Sequence, residues 1–443
     1  MKVKELLILF LIITVYNLAG QAQNPIVPPG IFVADPSAHS WDGKTLYVYG
    51  SRDLSPDFYC SWQYPVLSSQ NLLDWTITEN IFSSQGENDQ VPYSDRYLYA
   101  PDCQYHNGKY YLYYCLATNQ NTEGVATSNS PTGPFINGEV INTYGHNQID
   151  PSVFIDDDGQ AFYVWGQFTM KMAQLNPDMK SIDSTTLREA VITEDDHYFH
   201  EGAYMTKREG IYYLVYADLS RANRPTSIGY AMSKSPMGPY TYGGVIVDND
   251  HCDPGVWNNH GSIAKFKDQW YVFYHRSTHG SNTMRKACVE PISFNADGTI
   301  DEVEMTSQGA AGPLPADMQI DAASACLLFG NVRIEANSSE NEILTQIRNT
   351  DKAGYKYVNF GDGMETIEIN VAAGADGGII DIGLDQSWSP SIGRIEIPAG
   401  KNDGFITYSA QIKKTSGVNA VWLRFYGKKG EADFFEVDWF RFY

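Results

Sequence analysis

Five related stretches, spread over residues 34 to 277, restrict this chain to a narrow set of folds. They read "ADPSAHSWDGKTLYVYGSRD" from Ala34, "APDCQYHNGKYYLYYCLA" from Ala100, "IDPSVFIDDDGQAFYVWGQF" from Ile149, "HEGAYMTKREGIYYLVYAD" from His200 and "NHGSIAKFKDQWYVFYHRS" from Asn259. Each sets a polar residue beside Pro or Gly, then a short apolar strand, a turn and a second, aromatic strand. The turns carry Asp42-Gly43, Asn107-Gly108, Asp158-Gly159, Glu209-Gly210 and Lys267-Asp268, and the first four are glycine-containing hairpin signals. Strict alternation in "TLYVYGS" and "YYLYYC" marks strands rather than helices. The lead residues Asp35, Asp102, Asp150, Glu201 and His260 follow one another at 67, 48, 51 and 59 residues. A period near 50 with paired hairpins is that of a β-propeller blade. Two connections, "SNSPTGPF" and "SKSPMGPY", resemble each other closely and support the repeat. The Gly-His and Trp-Asp marks of WD40 blades do not recur from repeat to repeat. An all-β, five-bladed propeller is predicted over residues 23–312.

In a propeller the innermost strand of every blade runs beside the central axis. Equivalent positions at the starts of those strands therefore meet at one mouth of the channel. Asp35, Asp150 and Glu201 are predicted to share a pocket, with Asp102 and His260 nearby. Three carboxyls in one pocket suit glycosidic bond hydrolysis, in which one donates a proton to the leaving oxygen and another takes a proton from water. Crowded negative charge raises at least one pKa, which keeps the acid protonated. Two plainer readings compete. Asp-Pro is a common turn element, and clustered carboxylates also bind calcium, although no EF-hand spacing is present.

Outside the repeats, the chain opens "MKVKELLILFLIITVYNLAGQAQN". Lys2 and Lys4, an apolar run, and small residues at Gly20 and Ala22 form a secretory signal over residues 1–22, with cleavage predicted after Ala22. No cysteine stands there to carry a lipid, so a secreted or periplasmic, soluble protein is expected. Net charge is −22, which disfavours nucleic acid and anionic membranes as partners and is compatible with a neutral carbohydrate. Tyrosine is abundant, at 30 copies, and favours strands and flat stacking surfaces. The six cysteines allow 15 complete pairings, and the sequence does not choose among them; buried thiols are the favoured reading. Trp41, Trp75 and Trp165 are assigned to the core rather than to a ligand.

The ordered set "ADPSAH", "YAPDCQYHNGKYYLYY", "IDPSVFIDDDG", "HEGAYMTKREGIYYLVYA" and "NHGSIAKF" resembles glycoside hydrolase family 43 over roughly residues 25 to 310. The resemblance implies an inverting glycosidase with Asp35 as general base, Asp150 tuning pKa and orientation, and Glu201 as general acid. It places His260 near the axis, where it binds water or a calcium ion, and Arg285 near the sugar. Asp102 joins His260 and Arg285 as an expected substrate contact. Within the family, α-L-arabinofuranosidase and β-xylosidase are the common activities, with galactofuranosidase, exo-galactosidase and endo-acting forms as alternatives. An exo-acting arabinofuranosidase is favoured, acting as a monomer on arabinose- or xylose-containing glycans without a required cofactor. The reading from another class is a carbohydrate-binding propeller without catalysis.

Beyond the repeats, "TSQGAAGPLPADMQIDAASA" is rich in small residues and reads as a linker or docking strand, with the linker set at 313–325. The short alternating strands that follow predict a β-sandwich of jelly-roll type over 326–443. "RIEA", "YKYVNFGDG", "GGIIDIGLD", "SGVNAVWLRFYG" and "EVDWFRFY" resemble a family 6 carbohydrate-binding module. That resemblance implies a sugar-gripping aromatic pair, carried over to Tyr357 and Phe405, and a structural calcium with Glu335 as one ligand. Phe405 stands where a tryptophan is usual, an expected asparagine is missing, and Asn337 replaces a second calcium carboxylate.

Overall fold

The computed structural model describes residues 23–221, 224–253, 255, 258–400, 404–428 and 433–443, with the backbone of Val15–Leu18. The predicted cleavage after Ala22 lies outside the described residues. Among the described residues, no helix is long and apolar enough to cross a membrane.

The five repeats each form an antiparallel sheet. Sheet 1 holds Val33–His39, Leu46–Arg52, Gln63–Ser69 and Trp75–Ser83. Sheet 2 runs from Leu98–His106 to Ile136–Val140, sheet 3 from Ser152–Ile155 to Arg188–Thr193, and sheet 4 from Phe199–Arg208 to Thr241–Asp248. Sheet 5 comprises Ser262–Phe266, Gln269–Thr278 and Ser281–Ile292. The predicted turns close these hairpins. Asn107-Gly108 and Glu209-Gly210 both take positive φ at both residues, as a two-residue type I′ turn requires.

The first strands of the five sheets neighbour one another in cyclic order, sheet 5 returning to sheet 1. A parallel pairing of Val33 with Lys286 joins first to last. Separate apolar clusters fill the spaces between successive sheets. Tyr49, Tyr64 and Tyr114 pack between sheets 1 and 2, and Tyr113, Tyr163 and Trp165 between sheets 2 and 3. Trp75 is buried in the cluster shared by sheets 1 and 5. The aromatic second strands are therefore interface material, as flat rings on a pleated surface suit. All six cysteines are buried free thiols.

The C-terminal module has two six-stranded sheets enclosing one core, with Tyr355, Val371, Ile380, Val421 and Phe440 at its centre. The expected linker corrects to part of this module. Leu314–Pro315 pairs with Val358–Asn359, Ile320–Asp321 pairs with Trp439 and Phe440, and Leu314, Ala316 and Ile320 are buried in its core. Small residues here permit close packing rather than flexibility.

The module is bound to the repeats by charge as well as by shape. Lys286 Nζ stands 2.5 Å from Glu342 Oε2, with the side chains 2% and 4% exposed. Arg333 Nε lies 3.2 Å from Asp253 Oδ1, and the His279 amide donates to the Ile334 carbonyl at 3.0 Å.

Tyr357 and Phe405 do not form the expected pair. Val358 pairs with Asn419, near the chain end where Met364 faces Thr415, whereas Phe405 precedes Ile406, which faces Val371 seven residues along the same strand. The two rings thus lie toward opposite ends of the sheets, and the Tyr357 hydroxyl donates to Glu304 of the segment following sheet 5. Glu335 accepts from Gln346 Nε2 at 2.6 Å. Among the described residues, no group of three His, Cys, Asp or Glu side chains is arranged to hold a metal.

Candidate active site

Three of the five first strands are interrupted near their lead residues. The register of sheet 1 shifts between Ala34 and Ser37, that of sheet 2 between Tyr99 and Asp102, and that of sheet 4 on both sides of Glu201. A bulge re-aims a side chain out of the ladder. Asp35 and Asp150 both adopt left-handed backbone, φ 53° and 60°. Each precedes a proline, a combination that costs on the order of 1–3 kcal/mol and persists only where the surroundings impose it. The outcome is a cavity of about 340 Å³ lined from all five sheets, including Asp35, Tyr59, Tyr99, Asp150, Gln167, Glu201, His260 and Arg285.

The glycine that follows Glu201 has a direct cause. Gly202 has φ 72°, and a Cβ there would stand 2.8 Å from the His260 ring. Its absence lets the imidazole reach the cavity floor. His260 Nδ1 lies 3.6 Å from Asp35 Oδ1 and 4.0 Å from Asp150 Oδ2. Burial lowers the pKa of His260 and outweighs the opposing pull of Asp35 and Glu201.

Asp35 is held by a network that sequence reading did not find. Arg285 Nη1 donates to Asp35 Oδ1 at 2.8 Å, and Ser51 Oγ donates to Asp35 Oδ2 at 2.6 Å. The same guanidinium forks onto Asp53 through Nε and Nη2, both at 2.9 Å. Arg285 is 5% exposed and lines the cavity, and its bonds to Asp53 and Asp35 position Asp35 there. Burial alone raises the pKa of Asp35. Arg285, then His260, His275 and Ser51, outweigh it and bring the carboxyl down to about 2.

Asp150 moves the other way. Burial first, then the charges of Glu201 and Asp35, push its pKa well above the usual carboxylate range. Its buried Oδ2 finds no hydrogen-bond partner among the described residues. Glu201 is the more open of the three, its side chain 25% exposed, with His200 Nε2 3.9 Å from Oε2. Gln167 Nε2 donates to that same oxygen at 2.7 Å. The cavity therefore holds one carboxyl kept at low pKa by Arg285, one whose pKa is raised by burial and neighbouring charge, and a more accessible one that accepts from Gln167.

Asp102 corrects to a bracing residue. It is 1% exposed and does not line the cavity. It accepts from Ser37 Oγ and His39 Nε2, both at 2.6 Å, and from the Val153 amide at 2.7 Å. It thus ties the first strands of sheets 1, 2 and 3 together. Asp53, Ser51 and Gln167 carried a usable signal. Antiparallel pairing sets Ser51 opposite Ala34, so the end of a second strand lies beside the start of the first, where the lead residues are.

Relatives with known structures and names resemble the chain over both parts. It is 28% identical to a xylosidase/arabinosidase of Thermoclostridium stercorarium, covering 92% of this chain and 96% of that one. It is 26% identical to an arabinoxylan arabinofuranohydrolase of Paenibacillus polymyxa, covering 92% and 72%. The crystal structure of a family 43 arabinoxylan arabinofuranohydrolase from Bacillus subtilis, in complex with cellotetraose, matches with TM-score 0.55 and 25% identity over 95% of this chain and 97% of that one. Residues 328–443 match the carbohydrate binding module (family 6). Residues 22–300 match the glycosyl hydrolases family 43, and with its carboxyl-lined cavity the chain belongs to that family and is a glycoside hydrolase.

Proposed function

We propose that the chain is an exported, inverting, exo-acting α-L-arabinofuranosidase on arabinoxylan-type glycans, built as a five-bladed propeller with a docked β-sandwich. The observation that carries the sugar assignment is the extent of similarity. The Paenibacillus and Bacillus proteins named arabinoxylan arabinofuranohydrolases align over 92% of this chain, module included. A β-xylosidase of Xylanibacter ruminicola aligns over 62%. The double name of the Thermoclostridium relative favours β-xylosidase as the second reading.

In this reading, a terminal sugar sits in the ring-enclosed cavity, which suits end-on rather than mid-chain attack. Asp35, kept ionised by Arg285, takes the proton of a water on one face of the sugar. Glu201 gives its proton to the glycosidic oxygen on the other. Asp150, when ionised, is a negative charge that favours the protonated form of Glu201, and its own burial limits how readily it ionises. His260 lies between the two aspartates, 3.6 Å from Asp35 and 4.0 Å from Asp150. Export rests on the N-terminal signal pattern. A panel of aryl arabinofuranoside, xyloside, galactofuranoside and galactoside tests the assignment. Preferential turnover of the arabinofuranoside is expected, preference for the xyloside moves the reading to β-xylosidase, and no turnover of any would leave a binding propeller.

A further inference from the structure

Next to Gln167 and His200, and outside the residues that line the cavity, stands an aromatic ring that neither the fold nor the turn chemistry requires. Phe168 ends the hairpin turn between Ala161–Trp165 and Thr169–Gln174. It adopts φ 65°, a left-handed backbone in which a bulky side chain is an outlier and which glycine or asparagine occupies freely. The ring is 50% exposed, so burial does not explain it. The backbone is held firmly, the Phe168 amide donating to the His200 carbonyl at 2.7 Å and the Glu194 amide to the Phe168 carbonyl at 3.0 Å. Strain kept at an exposed aromatic residue points to a use for the ring.

Its position is set by two neighbours of the acid. Gln167, the preceding residue, donates to Glu201 Oε2 at 2.7 Å. His200, whose Nε2 lies 3.9 Å from the same oxygen, meets the Phe168 ring edge to face at 5.4 Å between centroids. A general acid must reach the leaving oxygen, so the group carried by that oxygen leaves past this wall. We infer that Phe168 is the stacking surface for the sugar ring on the leaving side of the scissile bond, making it a specificity residue for oligosaccharide over small leaving groups. The inference rests on the hydrolase reading of Glu201. A second aromatic wall, Phe58 with Tyr97 at 5.3 Å and Trp62 with Tyr97 at 6.1 Å, adjoins Tyr59 on the Asp35 side and is the competing location.

The test compares two substrates of one glycone in the full-length enzyme: an oligosaccharide, and the glycosyl fluoride, which has no leaving ring. Phe168→Gly is expected to lower kcat/KM on the oligosaccharide about tenfold more than on the fluoride, the size of one aromatic stacking contact. Phe168→Tyr should restore it to within about twofold of wild type. Tm of Phe168→Gly should hold or rise, because glycine relieves the left-handed strain. Equal losses on both substrates with a fall in Tm would make the ring structural and overturn the inference, as would a selective loss in Phe58→Ala instead. If the wild type turned over neither substrate, the hydrolase assignment would fail separately. Titration with the oligosaccharide would then decide the ring's role, requiring the same tenfold weakening in Phe168→Gly.

Discussion

The repeat region and the C-terminal module are both built from aromatic-rich antiparallel strands, yet only the first concentrates chemistry. In the repeats, five first strands meet in a ring, and residues as distant as Asp35 and Arg285 come within 2.8 Å. In the module, two sheets lie face to face around one apolar core. Tyr357 and Phe405 share a plausible motif position but end toward opposite ends of the strands. Cyclic symmetry turns a repeated position into a cluster, whereas a two-sheet stack turns it into a scatter. The module's charged residues serve instead to hold the ring, through Glu342 on Lys286 and Arg333 on Asp253.

The contrast is broken most directly at Glu201. Glu201→Gln should slow hydrolysis of natural oligosaccharides by ~10²–10⁴-fold, the usual yield of acid–base catalysis. It should slow aryl glycosides with very acidic phenols far less, and steady-state kinetics on both substrates checks this. NMR of the first-formed sugar should show inverted configuration, as expected for a base and acid roughly 6.5–9.5 Å apart. Equal losses on both substrates, or a retained product, would move the chemistry away from the Asp35–Glu201 pair.

Next comes the seam between the two regions. Lys286 pairs with Val33 where the ring closes, and its ammonium is buried against Glu342. Glu342→Ala should destabilise the fold by about 3–5 kcal/mol, because an uncompensated charge remains buried. Chemical denaturation measures the loss. The folded fraction should keep its turnover, since no catalytic group lies in the module. A chain cut near Ala325 would leave strands of the module unpaired, so truncation belongs before Leu314.

Smaller effects should appear in the pH profile. Arg285 holds Asp35 at about 2, and a base must be ionised to act. Arg285→Met removes the cation, raises the Asp35 pKa and should move the acidic limb of kcat/KM to higher pH. Asp150→Asn removes a negative charge beside Glu201, which makes loss of the acid's proton easier, and should move the alkaline limb to lower pH. An unmoved alkaline limb would end the tuning role of Asp150. The smallest effect concerns the module's rings. Tyr357→Ala and Phe405→Ala in an inactive Glu201→Gln background should each change affinity for xylan by less than about twofold, measured by titration, because the two rings lie toward opposite ends of the strands and do not grip one sugar together.

Much of this protein was written in local pattern. Alternation, hairpin turns and a period near 50 specified strands, repeats and their cyclic order, because a strand must bury one face and a repeated hairpin must bury itself against its neighbour. Asp35, Asp150 and Glu201 were legible as equivalent positions, and the motif "HEGA" carried its glycine because His260 needs the space. Tertiary structure decided what each position does. Asp102 has the same place in its repeat as Asp35, yet the ring packs Ser37, His39 and Val153 around it and leaves it a brace. Arg285 reads as a sugar contact, and only the closed ring reveals that it also joins Asp35 to Asp53. The segment 313–325 looks like a linker until its alanines and Ile320 are found in the module core. Hydrogen-bond partners, burial and the pKa shifts that follow depend on groups hundreds of residues away, and no local pattern encodes which of them will arrive.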